Sequence, residues 1–212
     1  MSGNKKEVIS KLRVLMKENG LDAYIIPSSD NHQSEYVGEF FKARAYVSGF
    51  TGDAGTVVIT RDEAGLWTDG RFFLQAEYQL KGSGIKLFKM GNPGVPTVFE
   101  YLEAEMPNNG KLGFDGRLIP VQEGEELIQK LADKNVSVEY NCDLVGQIWG
   151  NRPKLANEPV FLLEEKYSGE STASKLCRLR NTMKEAGANY HVITTLDDIA
   201  WLLNIRGNDV MY

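Results

Sequence analysis

Few side chains in this protein are of kinds that do covalent or metal chemistry, and their spacing decides what they can do. Two histidines, His32 and His191, are all that the 212 residues contain. His32 stands in Asp30-Asn-His-Gln-Ser-Glu35, a polar loop with oxygen and nitrogen donors close together. A metal centre needs such donors converging in fixed geometry, and neither a His-Glu-x-x-His pair nor a second histidine–carboxylate cluster completes a shell. The expectation for His32 is a solvated loop with local hydrogen bonds. For His191, within the apolar run 190–194, it is a satisfied sheet residue. Cys142 and Cys177 lack metal-type spacing and have no histidine nearby in sequence, so both are expected to be reduced and packed. A serine nucleophile would call for a Gly-x-Ser-x-Gly elbow, which the sequence does not contain.

Two stretches invite a binding reading. Gly49-Phe-Thr-Gly-Asp-Ala-Gly55 is the densest in glycine, but it has neither phosphate-loop spacing nor a following lysine, and Asp53 would repel phosphate. A strand rather than a helix follows, so the stretch reads as a close-packed turn. Trp67-Thr-Asp-Gly-Arg71 runs an aromatic strand end into a tight turn and presents Arg71 just beyond it. A guanidinium on a rigid turn can hold a carboxylate or peptide carbonyl through two directed hydrogen bonds; it can equally serve as a surface ion-pair residue. The tripeptide recurs as Asp115-Gly-Arg117, so it is not diagnostic alone. Residue chemistry by itself shows no catalytic machinery.

The elements that must position these residues follow from hydrophobic periodicity. Val8, Ile9, Leu12, Leu15 and Met16 mark a helix over 5–19 that stops at Gly20. Ala23-Tyr-Ile-Ile26 reads as a buried strand, and 56–60 and 66–68 as strands joined by a turn. Helices at 72–80, 97–105 and 122–132 alternate with extended segments at 86–90, 111–114 and 136–140, which argues for α/β layering on a mixed sheet. Polar, proline-bearing Trp149–Pro159 reads as an inter-domain linker. Beyond it, Leu179–Gly187 matches Leu12–Gly20 at six of nine positions with a constant offset of 167, and each copy leads towards an apolar run, 23–26 and 190–194. This reads as an internal repeat with a second strand at 190–194. The second copy stops in the apolar, extended-looking Val210-Met-Tyr212, so the chain is expected to be cut short.

Composition bounds the rest. Hydrophobic residues at 42% and charged residues at 25% suit a soluble protein with a large core. The net charge of −5, without any long Lys/Arg run, argues against nucleic acid or an anionic membrane as partner. No apolar stretch approaches the roughly 20 residues of a membrane span, and no signal-peptide pattern opens the chain, so a cytoplasmic address is expected.

Taken in order, Ala23-Tyr-Ile-Ile-Pro27, His32-Gln-Ser-Glu-Tyr36, Arg44–Gly52, Ala54-Gly-Thr56, Trp67-Thr-Asp-Gly-Arg-Phe-Phe-Leu-Gln-Ala76, Asp143–Pro153 and Leu196–Gly207 resemble the N-terminal region of the aminopeptidase P enzymes. These belong to the creatinase/prolidase-like metallopeptidases. The resemblance implies a mixed-sheet α/β creatinase N-terminal-like domain over 1–155. It also implies the start of a related, truncated α/β middle domain over 156–212, with the C-terminal metal-binding catalytic domain not present. The parent would be a metal-dependent Xaa-Pro aminopeptidase with two divalent metals, manganese or zinc, none of them bound here. Its substrates would be peptides with proline second, and it would be a cytoplasmic homodimer. This region, inactive alone, would shape the substrate cleft and subunit contacts. Arg71 matches the family arginine that contacts bound peptide; His32 receives no role. A non-enzymatic protein-binding module of the same fold, as in histone-chaperone relatives, is the alternative, and a nucleotide-binding protein built on Gly49–Gly55 is a third.

Overall fold

Four apolar residues in a row can all be buried in one strand only where its sheet is covered on both faces. The computed structural model, which describes residues 4–209, shows that arrangement around Ala23-Tyr-Ile-Ile26, each no more than 3% exposed. The chain divides into two compact units, Met1–Lys154 and Leu155–Tyr212.

The first unit runs α1 (Lys5–Glu18), β1 (Ala23–Pro27), α2 (Ala43–Ser48), β2 (Thr56–Thr60), β3 (Ala64–Thr68), α3 (Phe73–Gln79) and β4 (Lys86–Lys89). It continues with α4 (Val98–Glu105), β5 (Lys111–Phe114), α5 (Val121–Lys130), β6 (Ser137–Glu139) and α6 (Leu144–Ile148). The sheet order is β4-β3-β2-β1-β5-β6. The β1–β2 and β2–β3 pairs are antiparallel, while β3–β4, β1–β5 and β5–β6 are parallel, so the sheet is mixed. Alternation of side chains along each strand supplies two cores. Tyr24, Ile26, Val57, Ile59 and Leu66 pack with Leu12 and Met16 of α1, Val47 of α2 and Leu144 of α6. Ile25, Val58, Trp67, Leu112 and Phe114 pack on the other face with Leu102 of α4 and Leu127 of α5. Trp67 stacks on Phe88 with ring centroids 4.0 Å apart and donates its indole N–H to the Pro96 carbonyl at 2.8 Å. Thr97 and Glu100 close a capping box at the start of α4.

The second unit contains α7 (Glu165–Ser168), α8 (Thr172–Glu185) and α9 (Leu196–Leu203), with a two-residue ladder between β7 (Phe161–Leu162) and β8 (Ile205–Arg206). The repeat seen in the sequence reappears in hydrogen bonds. The amides of Gly20 and Leu21 donate to Lys17 and Met16, and those of Gly187 and Ala188 donate to Lys184 and Met183, the same offset of 167 throughout. Gly20 and Gly187 both take left-handed φ, 69° and 66°, where a side chain would be strained.

The copies then diverge. Residues 190–194 form no strand, with Tyr190 89% and Val192 82% exposed. An extended apolar segment becomes a strand by pairing, and among the described residues nothing pairs with this one. His191 is accordingly exposed rather than a satisfied sheet residue. Cys142 is buried as expected, but Cys177 in α8 is exposed, so it is not packed. Val210–Tyr212, expected to be extended, lie outside the described residues.

Candidate functional site

The loop after β1 leads to α2 on one face of the sheet, and the turn after β5 leads to α5 on the other. Between segments diverging in this way an open α/β sheet leaves a crevice at the carboxyl ends of its strands. Here it holds about 390 Å³. Ser28 and Ser29 beyond β1, Asp53 and Gly55 before β2, Leu118 beyond β5 and Arg71 beyond β3 line it.

Each wall is held by local chemistry. The buried Asp30 accepts from the backbone amides of His32 and Ser34 at 2.8 and 3.0 Å, which folds the Asp30–Glu35 loop. Burial pushes the Asp30 carboxyl up, and these hydrogen bonds outweigh it, leaving the group below its usual range. The exposed His32 thus contributes its amide to the loop; Gln33, at φ 57°, reaches the Leu118 carbonyl at 3.2 Å. On the far wall Ser28 donates from its amide and hydroxyl to the Gly55 carbonyl, both at 2.9 Å.

The glycine stretch proves to be a wrapping for Arg44. This α2 arginine is buried, lies 4.7 Å from the Phe50 ring and donates to the carbonyls of Phe50 and Gly52. A Cβ on Gly52 would lie 2.4 Å from the Phe50 ring and 2.7 Å from that of Phe72, so only glycine lets the loop close. Burial brings the Arg44 guanidinium down to about 10, opposed by the Asp53 charge. The loop's carbonyls face a cation, an arrangement opposite to a phosphate cradle. Sequence reasoning missed Arg44; an arginine five residues before the first glycine of a glycine-rich turn was the available signal.

Arg71 projects from the turn that follows β3. Asp69 Oδ1 accepts from both the Arg71 amide (3.0 Å) and Nε (2.9 Å), and Oδ2 accepts from Nη2 (2.8 Å). Arg117 binds Asp115 through the same atoms, at 3.1, 2.9 and 2.6 Å, so Asp-Gly-Arg is a self-contained local fold. Surroundings separate the two copies. Asp115 is buried and Arg117 also bridges to Asp143 at 2.9 Å. The Arg71–Asp69 pair is open to solvent, with side chains 69% and 36% exposed, and among the described residues nothing accepts a hydrogen bond from Nη1 of Arg71. Arg71 therefore arrives at the crevice aimed by Asp69, with three of its five guanidinium N–H donors left over.

Among the described residues no group of three or more His, Cys, Asp or Glu side chains is placed to hold a metal ion, and no helix is long and apolar enough to cross a membrane. Trp149–Pro153, expected to belong to a linker, begins as a docked segment. Trp149 stacks on Tyr46 at 4.5 Å, and Arg152 is only 10% exposed.

Comparison with known proteins gives this geometry a family. The creatinase/prolidase N-terminal domain model matches residues 9–143, and a second model of the same description matches 151–212. Aminopeptidase P2 of Arabidopsis thaliana is 49% identical over 209 residues, covering 96% of this chain and 29% of its own. A probable Xaa-Pro aminopeptidase P of Laccaria bicolor is 44% identical, covering 99% of this chain and 33% of its own. The crystal structure of the X-prolyl aminopeptidase of Caenorhabditis elegans, described as a cytosolic enzyme with a di-nuclear active site, superposes with a TM-score of 0.88 at 36% identity. That match covers 99% of this chain and 36% of the other. The chain thus spans about a third of the length of the relatives it matches. The two-sided mixed sheet, its strand-end crevice and a family match over most of the first unit agree: this chain belongs to the creatinase/prolidase N-terminal domain family.

Proposed function

We propose that this chain is the non-catalytic N-terminal region of a Xaa-Pro aminopeptidase, a cytosolic metallohydrolase that removes the residue preceding a proline at position two. The first unit corresponds to a domain over 1–155, and the second to the start of a related middle domain over 156–212. The region helps shape the substrate cleft and the contacts of a homodimer. Two divalent metals, manganese or zinc, serve the parent's chemistry by activating water as the nucleophile. The described residues offer no cluster of donors that fits such a pair, so no step of hydrolysis is derived from this chain.

What the chain's own residues supply is substrate binding. The observation that carries the reading is Arg71, fixed by Asp69 at the crevice mouth with Nη1 uncommitted and without a buried ion pair to account for it. A peptide carbonyl or carboxylate docking there would gain a charge-assisted hydrogen bond from a donor already in position. In the longer enzyme Arg71→Ala is expected to lower kcat/KM by about ten- to a hundredfold. Folding and metal content should be unchanged. Arg71→Lys should recover only part of the loss, since an ammonium lacks the fork that Asp69 orients. Wild-type turnover by the alanine enzyme would reject the reading.

A further inference from the structure

Arg152 sits where a linker was expected, yet it has the geometry of a fixed part. Its Nε donates to the Phe40 carbonyl at 2.9 Å, its guanidinium lies 3.8 Å from the Phe40 ring, and Nη1 donates to Asp143 Oδ2 at 2.6 Å. The first two contacts join residues 112 apart in sequence. Trp149, three residues earlier, stacks nearly parallel to Tyr46, whose hydroxyl donates to the Ile148 carbonyl at 3.1 Å.

Two arms lead from this node to two segments that line the crevice. Phe40 ends the stretch that carries Glu35 and Tyr36, both lining residues, and the other end of that stretch is tied to Asp30 through Ser34. Asp143 takes Arg117 as well, at 2.9 Å; Arg117 grips Asp115, whose carbonyl accepts from the amide of Leu118 at 3.0 Å. Leu118 is a lining residue, and its carbonyl receives Gln33 from the facing loop. One side chain at the end of the first unit therefore fixes both the Glu35–Phe40 wall and the Asp115–Leu118 wall.

The geometry points to Arg152 as a positioning residue of the crevice, setting the spacing of two of its lining segments through Phe40 and through Asp143–Arg117 rather than touching ligand. The inference rests on the crevice's proposed role in substrate binding. Its structural arm does not, because the spacing is set within the first unit whatever binds there. A lysine at this position keeps the charge but cannot make both directed bonds and the ring contact together.

The test uses Arg152→Lys, Phe40→Leu and their combination, with Arg71→Ala in parallel. In the 212-residue chain, Arg152→Lys should speed amide exchange over 34–40 and 115–118 while 57–67 exchanges as before. In the longer enzyme it should raise KM for a proline-second tripeptide by about two- to tenfold with kcat little changed. Adding Phe40→Leu should then cost less than the sum of the single effects, since both remove the same contact. Unchanged exchange over 34–40 and 115–118 overturns the proposal whatever Arg71→Ala does. An unchanged KM alongside an impaired Arg71→Ala enzyme also overturns it while leaving the crevice reading intact. If Arg71→Ala is without effect as well, the crevice reading is what has failed.

Discussion

Arg71 and Arg117 carry the same tripeptide fold, and their surroundings assign them opposite consequences. Removing Arg117 leaves buried Asp115 without its fork and takes one partner from Asp143, so Arg117→Ala should cost about 1–2 kcal/mol, discounted for the half-exposed guanidinium. Arg71→Ala, at an open pair, should leave stability close to that of the wild type. Chemical denaturation of the two variants checks this, and equal losses would show that the solvent-open turn is structural too. Asp143 adds a pH dependence. Burial raises its carboxyl, but the Gly146 amide and the Arg152 and Arg117 guanidiniums outweigh burial, so its folded value lies below the usual one. A depressed folded value means stability that is complete above the unfolded carboxyl's range, about 4, and is lost as pH falls through the folded value. Asp143→Asn should therefore lower stability at neutral pH and flatten the acid limb of a stability–pH curve. An unchanged limb would show that the charge of Asp143 is not coupled to folding. At this scale the sequence identified Arg71 as a side chain worth attention. It did not single out Arg44, whose signal was its place shortly before the glycine stretch, and it could not reveal Arg152, whose partner Phe40 lies 112 residues away and becomes a partner only once the chain has folded.

Elements were legible in proportion to how local their causes are. Helix α1 is written in its apolar spacing and in Gly20 at its end; strands β1, β2 and β3 are written in alternating or continuous apolar runs closed by turns. Helices α2 and α6, six and five residues long, carry too little periodicity and are held by distant contacts instead. The Tyr24 hydroxyl joins the Cys142 carbonyl and the Leu144 amide at 2.5 and 3.1 Å from more than a hundred residues away, which fixes the approach to α6. The misread strand at 190–194 shows the converse, since its composition is that of a strand and pairing is what it lacks. The central element offers the firmest stability test. Ile26→Asp would bury a lone carboxylate between β1 and α1, a cost of several kcal/mol that should abolish the first unit's cooperative thermal transition. A sharp transition near the wild-type temperature would contradict the core assignment.

For the molecule as a whole, the two units differ in how much they bury. The first has two cores on a six-stranded sheet, whereas the second has a two-residue ladder and leaves Tyr190, Val192 and Trp201 at least half exposed. Amide exchange should accordingly be faster over 171–209 than over 22–68, measured across concentrations so that self-association does not mask it. Equal protection in a verified monomer would contradict this difference. The proposal that this region aids peptide cleavage without performing it is tested by a single assay. The purified 212-residue protein is incubated with manganese and a tripeptide bearing proline second, and the free first residue is measured against a boiled control. An intact peptide is the expected result, because the described residues present no cluster of metal donors. Release of the first residue above the control would contradict it.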